Sequence, residues 1–226
     1  MDNIVEFKVY GPRALFTDPI SKIGGEKYSY PIPTYQALKG VLESIYWKPT
    51  IIWYVDSVRV MKPIVNESVN TRPINYGGGN DLSIYTYLSN VEYHVKAHFE
   101  WNMNRPDLEK DRNENKHYFQ IKRWIEKGGR RDVFLGTREC QAYVEPCVFN
   151  EGVGAYDSLD QMPMGIMFHG FDYGDETGNN ELTARFWMPV MVNGTIEYIK
   201  PSECSIRKKI KNYKVKKVEL EKEDLE

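Results

Sequence analysis

Apolar and polar residues change their spacing several times along the chain. In "IVEFKVYG" (4–11) apolar residues recur at every second position, the period of a half-buried strand. In "TYQALKGVLESIYW" (34–47) the period lengthens, and Tyr35, Leu38, Val41, Leu42 and Ile45 gather on one face at ~100° per residue, which predicts a helix. Thr34 suits its N-cap and Pro49 ends it. "TIIWYVDSVRVM" (50–61) returns to strand. "VEYHVKAHFEW" (91–101) alternates most cleanly, with Val91, Tyr93, Val95, Ala97, Phe99 and Trp101 facing one way. A second helix is expected after the polar stretch 102–114, capped by Asn115 and stopped at Gly128-Gly129. Short strands follow around 132–135, 140–149, 164–173 and 182–199, the last with a hairpin turn at Asn193-Gly194.

The order β-α-β-β-α-β predicts an α+β fold with a ferredoxin-like, or RRM-like, unit over residues 1–135. Residues 136–205 read as an antiparallel β extension that packs on or continues the first sheet. Residues 206–226 read as a charged tail, mobile by expectation. With 41% hydrophobic and 27% charged residues the chain has a soluble globular profile. It has no run of about 18 apolar residues, so no membrane span is expected. Three cysteines without a CxxC pair fit a reducing cytoplasm better than a disulfide framework or zinc ribbon.

Charge changes the picture at the end of the chain. The net charge of −2 hides "RKKIKNYKVKK" (207–217), with seven basic residues and no acids, followed by "ELEKEDLE" (219–226), with five acids and one lysine. A basic strip of this kind is either a solvated surface or a phosphate contact.

Four features carry candidate chemistry. His94 and His98 stand four apart, but on a strand that spacing separates them by ~13 Å, too far to share one zinc. Gly24-Gly25-Glu26-Lys27 and Gly77-Gly78-Gly79 match neither phosphate-loop pattern, so flexible turns are the default reading. Lys116 and His117 follow Asn115 in "NKHYFQIKRW", where basic residues in a first turn are unfavourable unless an anion sits there. A histidine near neutrality can move a proton on an RNA hydroxyl. On an ideal helix, however, His117 lies between Trp124 and Ile121 on the apolar face, so core packing is the competing reading. Lys122, Arg123, Lys127, Arg130 and Arg131 form a basic cluster larger than the helix dipole requires.

Several blocks together carry a resemblance. "ALFTDPISKIGGEKYSYPIPTYQALKGVLESIYWKPT" (14–50), "RPINYGGGN", "VKAHFEWN", "RPDLEKDRNENKHY", "GGRRDVFLGTRECQAYVEPC" and "HGFDYGDETG" resemble a family of CRISPR-associated RAMP proteins. This is the Dvulg subtype of the fifth Cas family, found in type I-C systems. The similarity spans roughly residues 4–205. It implies an RRM-like fold with a β extension. It also implies metal-independent cleavage of the repeat hairpin of precursor CRISPR RNA, with no cofactor. The family's tyrosine in "IYWKP" falls on Tyr46, and its lysine and histidine in "KHY" fall on Lys116 and His117. RNA contacts are then expected from Lys22, Lys27, Lys48, Lys122, Arg123, Arg130 and Arg131. The implied partners are the precursor and mature guide RNA and the backbone and large subunits of the interference complex. A subunit that binds the guide's 5′ end without cutting is the alternative.

Overall fold

The computed structural model describes residues 3–19, 21–74, 76–79 and 81–212. Thirteen strands are present among them: β1 (Ile4–Ala14), β2 (Lys27–Tyr28), β3 (Ile51–Val60), β4 (Asn66–Thr71), β5 (Ser83–Trp101), β6 (Val133–Phe134), β7 (Gln141–Pro146), β8 (Gln161–Pro163), β9 (Met167–Asp172), β10 (Glu181–Trp187), β11 (Val190–Val192), β12 (Thr195–Glu197) and β13 (Ile206–Asn212). The α-helices are α1 (Tyr35–Ile45), α2 (Glu114–Glu126) and the single turn α3 (Gly174–Thr177). The fold is mixed α/β, dominated by antiparallel sheet.

One sheet runs β6-β7-β1-β5-β3-β12-β11-β8, with β2 and β4 also paired to β5. The pairing is antiparallel except between β2 and β5. The 19-residue β5 is its spine: Ile4–Ala14 pair along its middle, Ile51–Val60 along its second half, and β4 along its first. On one side β12, β11 and β8 carry the sheet on beyond β3; on the other, β7, which lies past the expected boundary at residue 135, pairs directly with β1. A smaller sheet, β13-β10-β9, stands apart from this path. Residues 206–212, expected to begin a mobile tail, instead form β13, paired to β10 from Ile206 opposite Phe186 to Asn212 opposite Glu181. The remainder of that tail, 213–226, lies outside the described residues.

The helices follow from their caps and stripes. The Thr34 hydroxyl accepts from the Ala37 amide, and Tyr35, Leu38, Val41, Leu42 and Ile45 are buried, as their periodicity requires. They meet inward residues of the sheet in one core that includes Phe7, Val9, Trp53, Val95, Ala97 and Phe99. Helix α2 contributes Ile121 and Ile125 to the same core. Beyond α2, Gly128 and Gly129 adopt positive φ, a conformation that glycine reaches without strain, and turn the chain back. The Arg130 and Arg131 amides then donate to the carbonyls of Ile45 and Ser44, at 3.3 and 3.0 Å. The open carbonyls at the end of α1 are thereby satisfied by the segment that leaves α2. No helix among the described residues is long and apolar enough to cross a membrane.

Candidate active site

Tyr46 is placed by two backbone bonds. Its amide donates to Leu42 at the end of α1, and its carbonyl accepts from the indole of Trp53 on β3 at 2.9 Å. Its side chain points inward and meets His117, with the phenol oxygen 2.8 Å from Nδ1. Their positions are 71 residues apart in the chain. Both are closed off from solvent, Tyr46 at 1% exposure and His117 at 0%. The imidazole is flanked edge-on by the rings of Phe99 and Trp101 on β5.

The helix start decides this placement, and it differs from the expected one. Asn113, not Asn115, is the N-cap, with its side chain accepting from the Lys116 amide at 3.1 Å. Lys116 and His117 therefore sit inside the first turn rather than at the helix mouth, and the anion site expected at that mouth does not form from them. Glu114 supplies the acidic residue that a first turn favours. The register also puts His117 in line with Ile121 and Ile125, one buried stripe at i, i+4 and i+8. The packing reading was thus right about burial. It was incomplete about partners, because the buried imidazole is paired on both nitrogens.

His117 Nε2 lies 2.7 Å from the backbone oxygen of Asp111. A carbonyl only accepts, so in the neutral ring Nε2 carries the proton and Nδ1 accepts from the phenol of Tyr46. Burial lowers the imidazole below the usual histidine value. The Asp111 carbonyl and carboxylate oppose that, while Lys116 and Lys48 reinforce it. The ring is then neutral at neutral pH. Burial, and after it the Asp111 charge, pushes the Tyr46 phenol above its ordinary range, while Arg130 pulls it back, so the phenol remains a donor.

Asp111 was not singled out in the sequence. It ends the 3-10 helix Pro106–Asp111, and its side chain is fully buried. The carboxylate accepts from the Thr50 hydroxyl at 2.5 Å, and lies 3.4 Å from the Lys116 ammonium and 3.5 Å from His117 Nε2. Lys116, 18% exposed, is the outermost member of the group. Neither Asp111 nor Thr50 stands in a periodic pattern; proximity in sequence to "NKHY" and "WKP" is the one signal that pointed to them.

The structure gathers Tyr46, Lys116 and His117, and brings Lys48 and Arg130 close enough to act on them electrostatically. Lys48 is buried rather than displayed on the surface. Arg130 and Arg131 are exposed beside the end of α1. Lys122 and Arg123 lie on the outer face of α2, with the Lys122 ammonium 4.9 Å from the centre of the Tyr118 ring. Lys22 and Lys27 belong to the segment around β2, where Lys27 stacks over Tyr85 at 4.2 Å. The strand histidines are used separately. His94 Nδ1 faces the carbonyl of Phe149 at 3.2 Å, and His98 Nδ1 faces Asp56 at 2.7 Å.

Comparison with known proteins gives the family. The chain matches, over residues 4–199, the family model described as CRISPR-associated protein (Cas_Cas5), in its Cas5d form. It therefore belongs to the Cas5d family of CRISPR-associated proteins. It is similar to the CRISPR pre-crRNA endoribonuclease Cas5d of Mannheimia succiniciproducens, at 27% identity over 87% of this chain and 95% of that one. It is also similar to the protein of the same description from Thermus thermophilus, at 28% identity over 79% and 78%. A solved structure of a CRISPR-associated protein superposes with a TM-score of 0.77 at 38% identity, covering 91% of this chain and 96% of the other. The structure of protein SMU1763c from Streptococcus mutans, described as functionally uncharacterized, superposes at 0.73 with the same identity and coverage.

Proposed function

We propose that this chain is an endoribonuclease that cuts the repeat hairpin of precursor CRISPR RNA without a metal ion, and then stays with the guide RNA as a subunit of a type I-C interference complex. The single observation that carries the reading is the meeting of Tyr46, His117 and Lys116 around one buried hydrogen bond. The naming of two curated relatives as pre-crRNA endoribonucleases supports it. The strand order β7-β1-β5-β3 supports a ferredoxin-like unit whose fourth strand is β7, so that the unit reaches Pro146 rather than ending at residue 135. Three free thiols, Cys140, Cys147 and Cys204, support a cytoplasmic setting.

In the reaction the 2′-oxygen of one nucleotide forms a bond to the adjacent phosphorus as the bond to the 5′-oxygen breaks. The 2′-hydroxyl proton leaves to a base and the 5′-oxygen gains one. The products are a 2′,3′-cyclic phosphate and a 5′-hydroxyl. His117 is assigned the proton transfer: its ring is neutral at neutral pH, and its unprotonated nitrogen is Nδ1, which accepts from the Tyr46 phenol. Lys116 stabilises charge on the phosphorane-like transition state, and Tyr46 orients the nucleophile or a phosphoryl oxygen.

A second reading has its own observation. Two buried side chains bonded to each other are also what a purely structural pair looks like, and a guide-RNA-binding subunit would need no more. Incubation of the full chain with its repeat RNA in EDTA separates the two. Cleavage to cyclic-phosphate and 5′-hydroxyl ends is expected, abolished by a 2′-deoxy nucleotide at the cut and slowed ~10²–10⁴-fold by His117→Ala. Tight binding without cleavage would leave the binding subunit. Undiminished cleavage by His117→Ala would remove the histidine from the chemistry.

A further inference from the structure

We propose that Asp111 is the positioning residue of this site, its carbonyl selecting the imidazole nitrogen that His117 turns toward Tyr46 and its carboxylate fixing where the Lys116 ammonium rests. The inference deepens the endoribonuclease reading and rests on it for its kinetic part.

Three side chains converge on this one residue. Its carbonyl takes the Nε2 proton of His117 at 2.7 Å, which leaves Nδ1 as the acceptor on the Tyr46 side. Its carboxylate faces Lys116 at 3.4 Å and His117 at 3.5 Å. The Thr50 hydroxyl, itself buried, anchors that carboxylate at 2.5 Å. A fully buried carboxylate is costly to keep unless such partners surround it. Here the partners are two groups of the proposed reaction and one residue at the head of β3. Thr50 precedes β3 and Asp111 ends the 3-10 helix, so the contact ties the entry of α2 to the sheet that also holds Tyr46 through Trp53. The groups that face the imidazole are Tyr46 and Lys48 from the end of α1 onward, Phe99 and Trp101 from β5, Asp111, and Lys116 beside it on α2.

The test compares the full-length wild type with Asp111→Asn. The variant keeps the size of the side chain and the backbone carbonyl but removes the negative charge. Single-turnover cleavage is expected to fall on the order of 10- to 100-fold, the scale of a slightly misplaced catalytic group, with hairpin Kd unchanged. His117, followed through its ring protons by NMR, is expected to titrate lower than in the wild type, because the charge favouring the imidazolium is gone. Loosened packing would move the titration the other way, toward the solvent value of about 6.5. An upward move, or wild-type rate and titration, overturns the proposal. Ring nitrogen shifts of the wild type give a second measurement that does not depend on the variant folding: a proton on Nε2 is expected, and a proton on Nδ1 overturns it. If the wild type does not cut, the endoribonuclease reading fails; if His117→Ala cuts as well as the wild type, the histidine leaves the chemistry; in either case the titration and the tautomer still decide the role of Asp111.

Discussion

Tyr46→Phe removes one oxygen atom from the centre of the site and leaves the ring in its packing place. The loss falls on His117. Its Nε2 proton is committed to the Asp111 carbonyl at 2.7 Å, so Nδ1 stays an acceptor and loses its donor at 2.8 Å. Reversing the tautomer offers no escape, because it would turn a lone pair of Nε2 toward a carbonyl oxygen. With both residues closed to water, the orphaned nitrogen costs the full desolvation of a polar group, about 1–3 kcal/mol. Tyr10→Phe is the internal control. That hydroxyl bonds the Glu145 carboxylate at 2.5 Å on the exposed surface, and its loss should stay within about 0.5 kcal/mol. Urea unfolding followed by tryptophan fluorescence measures both, and Trp53, bonded to the Tyr46 carbonyl, is a local reporter. A Tyr46→Phe variant no less stable than Tyr10→Phe, at equal m-values, would refute the closed hydrogen-bonded pair and with it the tautomer argument.

Acid should destabilise the fold through His169 as well. Burial holds its folded value at about 3, and Nδ1 has no hydrogen-bond partner among the described residues. The unfolded chain binds a proton below its ordinary value of ~6.5 that the folded chain refuses, so stability falls as pH drops through ~6.5 and levels off near the folded value. Going from roughly pH 7 to pH 5 costs about 2 kcal/mol from this residue alone, and His117 adds in the same direction. Wild type and His169→Gln with parallel pH dependence of their urea midpoints would contradict this. Gly136→Ala should be destabilised by about 3 kcal/mol or more in thermal unfolding, since φ is +95° there and a Cβ would stand 1.9 Å from the Leu15 carbonyl oxygen. A melting temperature within a few degrees of wild type would count against that backbone geometry.

The long periodic elements were legible from residue pattern because burial of one face fixed them. The α1 stripe, β3 and the 91–101 half of β5 lie where alternation or helical spacing put them. The first half of β5 and β4 were not read, since their polar residues carry little of the core and a glycine-rich loop separates them. The basic β13 was not read either: each of its residues is exposed, so no hydrophobic period marks it. At the site, the burial of His117 was written in its spacing from Ile121 and Ile125. The helix start was ambiguous because asparagines stand at both 113 and 115 and either can cap. The pairing with Tyr46 and the grip of Asp111 depend on how a sheet of distant strands closes, and no local pattern encodes that. The family motif, rather than periodicity, joined Tyr46 to Lys116 and His117.

During synthesis β1 leaves the ribosome well before its partners. Among the described residues it pairs with β5 from Leu88 to His98 and with β7 from Tyr143 to Pro146, and with no strand nearer in the chain. Its apolar residues Val5, Phe7 and Val9 must therefore wait, unpaired, until some ninety further residues have been made, about 5–20 s at ordinary elongation rates. Nascent chains stalled before residue 88 should be the ones that recruit chaperones, and those extended past Pro146 should shed them.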